Sequence, residues 1–146
     1  KNRKYAQLFT SLFRIRKIHK TYLAIVYGKV DKSLKVMKDD LIYYENNKKF
    51  FQKAISNLKI IKSNENYSYL ELNPITGRKH QLRKQLLKIG NPIIGDDKYY
   101  LNDRKRVKIK NLMLHAYKIK FMINDVQYNF KATYNYPFEN FLKKCF

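Results

Sequence analysis

Between residues 2 and 16 the apolar side chains fall at Tyr5, Leu8, Phe9, Leu12 and Ile15, steps of three and four that predict an amphipathic helix. The period then breaks. HKTYLAIVYG, residues 19–28, is a β-branched and aromatic run closed by Gly28, and it predicts a strand. Residues 29–50 are polar and rich in Lys and Asn, and they read as loop with short irregular strands. AISNLKIIKS (54–63) and YSYLELN (67–73) predict two strands joined by a turn at 64–66, a hairpin. Beyond Pro74, Leu82, Leu86 and Ile89 set the stripe of a helix over 78–89, with Thr76 as N-cap and Gly90 as the stop before Asn91 and Pro92.

A charged loop (96–111) follows, then LMLHAYKIKF (112–121) and VQYNFKAT (126–133), which predict another antiparallel pair. Pro137 suits the first position of a short terminal helix with Phe138, Phe141 and Leu142 turned inward. Strands outnumber helices and the connections are short. The predicted class is α+β, a mixed, mostly antiparallel sheet with helices on one face. With no repeat and no Gly/Ser- or Pro-rich linker, residues 1–146 read as one domain's worth of chain.

Charge changes the picture more than size does. The chain carries 32 Lys and Arg against 11 Asp and Glu, a formal net charge of +21, so a polyanion is the natural partner and nucleic acid the first candidate. Two other accounts of that charge stay open. An acidic membrane surface also attracts cations. The preference for Lys over Arg, beside many Asn, Ile and Tyr, also matches the drift of an A/T-rich genome. No apolar run approaches the roughly 18 residues that a membrane span needs. The single Cys145 and the lack of a signal-peptide pattern after Lys1 point to a reducing, cytoplasmic compartment. One Cys and three scattered His give no metal-ligand spacing, so no metal is expected.

TGRKHQLRKQL, residues 76–86, raises a specific question. Helix starts favour acidic residues, yet Arg78, Lys79 and His80 crowd this one. Each cation there costs about 0.3–1 kcal/mol against the helix dipole unless an anion is bound. Gly77 permits a tight turn and a close approach, Lys79 and Arg83 share a face, and Gln81 and Gln85 can bond a base edge or a phosphate. A solvated face of a very basic protein would look the same.

The stretch TGRKHQLRKQLLKIGNPIIGDDKY (76–99) resembles the C-terminal signature of the large-ribosomal-subunit type of pseudouridine synthases. KTYLAIVYG (20–28) resembles that family's tyrosine-containing strand, and LMLHAYKIKF and FKATYNYPFENFL (130–142) resemble its closing strands and end. The resemblance implies isomerisation of uridine to its carbon-linked form in RNA, without cofactor or metal, on a base flipped from its stack. It implies that Tyr22 is the active-site tyrosine, stacking on the base and assisting proton transfer. Arg83 would be the arginine that pairs with a catalytic aspartate, and Leu114 the apolar residue against the base. Arg78, Lys79, His80 and Gln81 would serve RNA binding, with His80 bonding locally or facing a phosphate. His115 reads as structural, and Asp96 and Asp97, following Gly95, as braces of a turn. Alone, Tyr22 reads as one more core tyrosine and Arg83 as a solvated helix residue.

In one respect the chain departs from the family's pattern. The family's nucleophilic aspartate lies in a His–Arg–Leu–Asp segment followed by Thr–Ser–Gly, and no such segment occurs here. Asp31, Asp39, Asp40, Asp103 and Asp125 stand in other contexts. The chain is therefore expected to be the C-terminal half of a catalytic domain, inactive by itself, with Arg83 solvated or bound to an anion. An uncovered sheet edge would then favour self-association or docking of the missing half. Three readings follow: an enzyme completed by that half, with large-subunit ribosomal RNA as substrate; a non-catalytic RNA-binding remnant; or a decayed gene product.

Overall fold

The computed structural model describes residues 2–14, 17–102 and 109–146, so Ile15 and residues 103–108 of the expected charged loop, Asp103 among them, lie outside the described residues. In chain order the elements are α1 (Arg3–Arg14), β1 (His19–Tyr27), β2 (Val36–Glu45), β3 (Lys48–Ser63), β4 (Tyr67–Pro74), α2 (Gln81–Lys88), β5 (Leu114–Ile123), β6 (Val126–Lys131) and α3 (Tyr136–Cys145). The strands form one sheet in the order β2-β3-β4-β1-β5-β6. Every neighbouring pair in it is antiparallel, so the α+β expectation holds and the sheet needs no parallel pair.

β1 lies inside the sheet, and Leu23, Ala24, Ile25 and Val26 are all buried. A strand covered on both faces reads as a continuous apolar run rather than an alternation. Each large aliphatic side chain buried this way stabilises the fold by about 1.5–3 kcal/mol. The pairing register divides the sheet's faces. Tyr22 lies opposite Leu72, and Leu72 opposite Leu58, so these three share one face. Leu23 is opposite both Glu71 and His115, on the other face. A β-bulge between Thr21 and Tyr22 shifts the alternation along β5, which returns Ile119 and Phe121 to the Tyr22 face.

Two helices obey the expected one-sided arrangement. α2 sits on the Tyr22 face through Gln85, whose Oε1 accepts a hydrogen bond from Ser56 Oγ. α1 packs Phe9 edge-on against Phe121, ring centroids 5.0 Å apart, on the same face. α3 departs from it. Its Phe138 packs against Tyr69 and His115, with centroids 6.2 and 5.7 Å away, on the opposite face. The cause is local: Asn135 caps the helix by accepting the Phe138 N–H at 3.0 Å, directly after β6.

Two further expectations are corrected. Residues 29–50 are not mainly loop: β2 and β3 form a ten-pair ladder closed at Asn46 and Asn47, both left-handed with φ 48° and 60°. Nor does the helix begin at 78. α2 starts at Gln81 with His80 as N-cap, and no side chain caps it. Thr76 is turned inward instead, its hydroxyl accepting from Ile55 N at 2.8 Å and donating to Gln81 Oε1 at 2.7 Å. Among the described residues no helix is long and apolar enough to cross a membrane.

Candidate active-site cleft

β4 ends at Pro74, and the chain must cross from the sheet to α2 within six residues. Gln81 organises that crossing. Its Oε1 accepts from Arg78 N and from Thr76, and its Nε2 donates to Ile55 O at 3.1 Å and Ser56 Oγ at 2.8 Å. Gln85 continues the network, donating to Met37 O, Ala54 O and Asp39 Oδ2. Both glutamines are buried, and although Gln81 borders the cleft, the sheet and the loop take up the amides of both. Buried amides have to be satisfied, and here the sheet satisfies them. The result is a rigid loop from which Arg78 and His80 project.

The loop, α2, β1 and β5 line an open cleft of about 210 Å³ whose wall includes Lys20, Tyr22, Gly77, Arg78, His80, Gln81, Arg83 and Leu114. Tyr22, Arg83 and Leu114 therefore share one cleft, although three separate elements carry them. Lys79 is exposed beside the cleft and is not part of its wall. Gly77 does not adopt a left-handed backbone. A Cβ there would meet only Lys20 Nζ, at an ordinary contact distance of 3.5 Å, so neither backbone nor space demands a glycine at this position.

The Tyr22 hydroxyl has no hydrogen bond among the described residues, and burial pushes its pKa up. It is a neutral phenol at neutral pH. His80 stands in the left-handed region at φ 54°, uncommon for a residue with a side chain, and its Nδ1 lies 3.1 Å from the Tyr99 hydroxyl. Burial, and then the charges of Arg83, Lys79, Lys98 and Lys84, hold the imidazole below its usual pKa. His80 is accordingly a local hydrogen-bonding group, uncharged at neutral pH. Burial also lowers the pKa of Lys20.

Arg83 is neither solvated nor waiting for an anion, contrary to expectation. Its Nε and Nη2 meet the two carboxylate oxygens of Asp96 at 2.7 and 2.5 Å, and Nη2 also reaches Asp97 Oδ1 at 3.1 Å. The guanidinium carbon lies 5.0 Å from the Tyr99 ring centroid. Asp96 is in turn held by the amides of Lys98 and Tyr99 at 2.9 and 2.8 Å. Burial alone would raise the Asp96 pKa, but Arg83 and those amides outweigh it and hold the carboxyl below its ordinary value. Gly95 makes the approach possible: at φ 75°, a Cβ would fall 2.0 Å from Asn111 O. Asp96 does brace its turn, as the sequence suggested. Its pairing with Arg83 was not foreseen, and the only signal for it was a Gly–Asp–Asp turn one helix downstream. Among the described residues Arg83 Nη1 makes no hydrogen bond, so a fixed guanidinium keeps donors available.

Comparison with known proteins gives the same picture. The sequence model of the RNA pseudouridylate synthase family matches residues 1–88. The chain is 34% identical to tRNA pseudouridine synthase C of Haemophilus ducreyi, over 82% of this chain and 58% of that protein. It is 37% identical to ribosomal large subunit pseudouridine synthase C of Rickettsia felis, over 73% of this chain and 38% of that protein. The match thus spans well under two thirds of either relative. The solved structure of human RNA pseudouridylate synthase domain containing 4 shares the fold, with a TM-score of 0.81 at 23% identity, covering 98% of this chain and 68% of that one. By the family match, the similarity to these relatives and the shared architecture, the chain belongs to the RNA pseudouridylate synthase family.

Proposed function

We propose that this chain is the base-holding part of an enzyme that isomerises uridine to pseudouridine in RNA, with large-subunit ribosomal RNA as substrate. The observation that carries the reading is the convergence of Tyr22, Arg83 and Leu114 on one cavity beside Lys20 and Arg78. A flipped uracil stacks between the Tyr22 ring and Leu114, and Lys20, Arg78 and Lys79 take the flanking phosphates. Their attraction offsets the few kcal/mol of unstacking. That answers why cations crowd the approach to α2: they precede the helix, on a loop that serves a polyanion.

The reaction breaks the bond from uracil N1 to the sugar C1′ and makes one from C5 to C1′. The C5 proton leaves and N1 gains a proton, so no oxidant or reductant is needed. Tyr22, neutral and free of protein partners among the described residues, stands where it can relay the C5 proton. Arg83 donates from Nη1 to the base or the sugar. The carboxylate that attacks or abstracts at the sugar is contributed from outside these 146 residues, which hold no His–Arg–Leu–Asp segment. A non-catalytic RNA binder is the second reading, favoured by the Asp96 pairing, which already neutralises Arg83.

Tritium release from RNA labelled at uridine C5 tests this, with the chain complemented by an aspartate-bearing fragment of a relative. Release is expected from large-subunit ribosomal RNA transcripts. Tyr22→Phe should slow it by about 100-fold, the scale of lost proton-transfer assistance, with RNA affinity nearly unchanged. Binding without release in every combination would favour the second reading. Release from transfer RNA alone would reassign the substrate.

A further inference from the structure

The cleft does not end at Tyr22. It opens into a depression of about 430 Å³ that shares Lys20 and Tyr22 with it. That depression meets another of about 430 Å³ at Tyr117, Lys131 and Ala132. The three form one continuous track around the end of β6, where Ala132 N donates to Tyr117 O at 2.9 Å. Ala116 and Ala132 in the lining are too small to block it.

The far end of the track is a platform of rings. Tyr117 and Tyr134 stack with centroids 5.9 Å apart at 29°. His115 meets Tyr134 edge-on at 5.7 Å and 77°, and Phe138 lies 5.8 Å from it. The Tyr134 hydroxyl is also bonded to that of Tyr69 at 3.2 Å, so the platform is braced before anything binds. Tyr134 is 36% exposed, and Phe130, on the depression nearer the cleft, is 56% exposed.

Two cations converge on these rings. Lys118 Nζ and Lys131 Nζ lie 5.0 and 5.2 Å from the Tyr117 centroid, both cation–π distances. Register makes the convergence costly: the two lysines stand directly opposite across β5 and β6, where like charges destabilise a sheet. Neither has a carboxylate partner among the described residues. Glu139, which lines the far depression, pairs with Lys143 at 2.8 Å instead. An anion set between the two lysines turns their repulsion into attraction. A free phosphate would leave the rings without a purpose. Cations beside stacked aromatic rings along a groove suit single-stranded nucleic acid.

We propose that the Tyr117–Tyr134 platform is a second RNA subsite, which takes the single strand on one side of the flipped uridine. The strand leaves the cleft past Lys20, a base stacks on the tyrosine pair, and the phosphates beside it lie against Lys118 and Lys131. This rests on the functional reading above, and it gives the enzyme a hold on nucleotides that it does not modify.

The test titrates the full chain with fluorescent single-stranded oligouridylates over a range of salt. A trinucleotide fills the cleft alone, whereas a decauridylate also reaches the platform and is expected to bind more tightly. Lys131→Ala, at an exposed position, and Lys118→Ala should each flatten the decauridylate's salt slope by about 0.7 and leave the trinucleotide's unchanged. Tyr117→Leu should weaken the decauridylate by about tenfold, the scale of one lost base stack, and Tyr117→Phe should not. Equal effects on both oligomers, or none on either, overturn the proposal. So does polyglutamate of equal charge that binds as tightly and loses as much with both lysine variants, since charge alone would then fill the track. A completing fragment of a relative that shuts the decauridylate out overturns it too. Platform-dependent binding without tritium release by the complemented chain leaves the subsite intact and counts against the isomerase reading. Release whose KM ignores Lys118→Ala, Lys131→Ala and Tyr117→Leu does the reverse.

Discussion

At the scale of single residues, Arg83 and Asp96 decide how the cleft is preorganised. The Asp96 side chain is fully buried and Arg83 is 16% exposed, so the pair works where water screens little. Removing one member of such a pair leaves an uncompensated charge. Asp96→Asn should therefore destabilise the chain by about 3 kcal/mol, the low end for a broken buried pair, because Asp97 remains beside Arg83. The pH dependence follows from the direction of the shift. The folded state holds Asp96 below its unfolded pKa, so its contribution is fully present above about pH 4 and is lost as pH falls through the lower folded value. Denaturant unfolding followed from pH 7 to pH 2 should show this acid loss in the unsubstituted chain. Asp96→Asn should lack that component, and an unaltered acid limb would show the pair to be energetically idle.

At the scale of elements, α2 is fastened by amides more than by its cap. Gln81, Gln85, Ser56 and Thr76 form a buried chain of hydrogen bonds to β2 and β3. Gln81→Leu keeps the volume but strands Arg78 N and takes away the acceptor of the Thr76 hydroxyl. Ile55 O keeps the amides of Ile75 and Thr76, and Ser56 Oγ keeps Gln85. At roughly 1–3 kcal/mol for each buried polar group left bare, and with some relaxation, a total of about 3 kcal/mol is expected in thermal or urea unfolding. A loss under 1 kcal/mol would mean that water replaces the amide. The same network explains what the sequence concealed. A helical stripe at Leu82 and Leu86 was legible, but nothing in the pattern tells an inward glutamine from an outward one. β1, β4 and β5 were legible because burial on at least one face left apolar runs. The β2–β3 ladder was not, because only Met37, Leu41, Ala54, Ser56 and Leu58 of its side chains are buried and an edge strand can stay polar. Its Asn46–Asn47 turn was the missed signal, two residues that tolerate positive φ. Of the cleft, Tyr22, Arg83 and Leu114 could be reached through family resemblance, whereas Lys20 and Asp96 needed the fold to bring distant segments together.

At the scale of the whole molecule, a net charge of +21 attracts RNA to many places, so affinity alone cannot locate the interface. Counterion release can. Each phosphate neutralised by a single-stranded site contributes about 0.7 to the slope of log K against log salt. The slope of the unsubstituted chain counts the cations engaged, and the change on substitution names them. Arg78 is well placed for this measurement, because its Nε donates to Lys53 O at 3.2 Å and the rest of its guanidinium borders the cleft. Lys79 stands exposed beside it. Lys144 serves as the control: it is exposed on α3, which packs on the opposite face of the sheet. Arg78→Ala and Lys79→Ala should each flatten the slope by about 0.7, measured by fluorescence anisotropy from 50 to 400 mM salt. Lys144→Ala should leave it unchanged, since long-range attraction to an unengaged lysine is largely screened over that range. Equal flattening by all three substitutions would mean that RNA coats the molecule without register. In that case the charge would reflect composition alone, and the crowding of cations before α2 would have no site to explain.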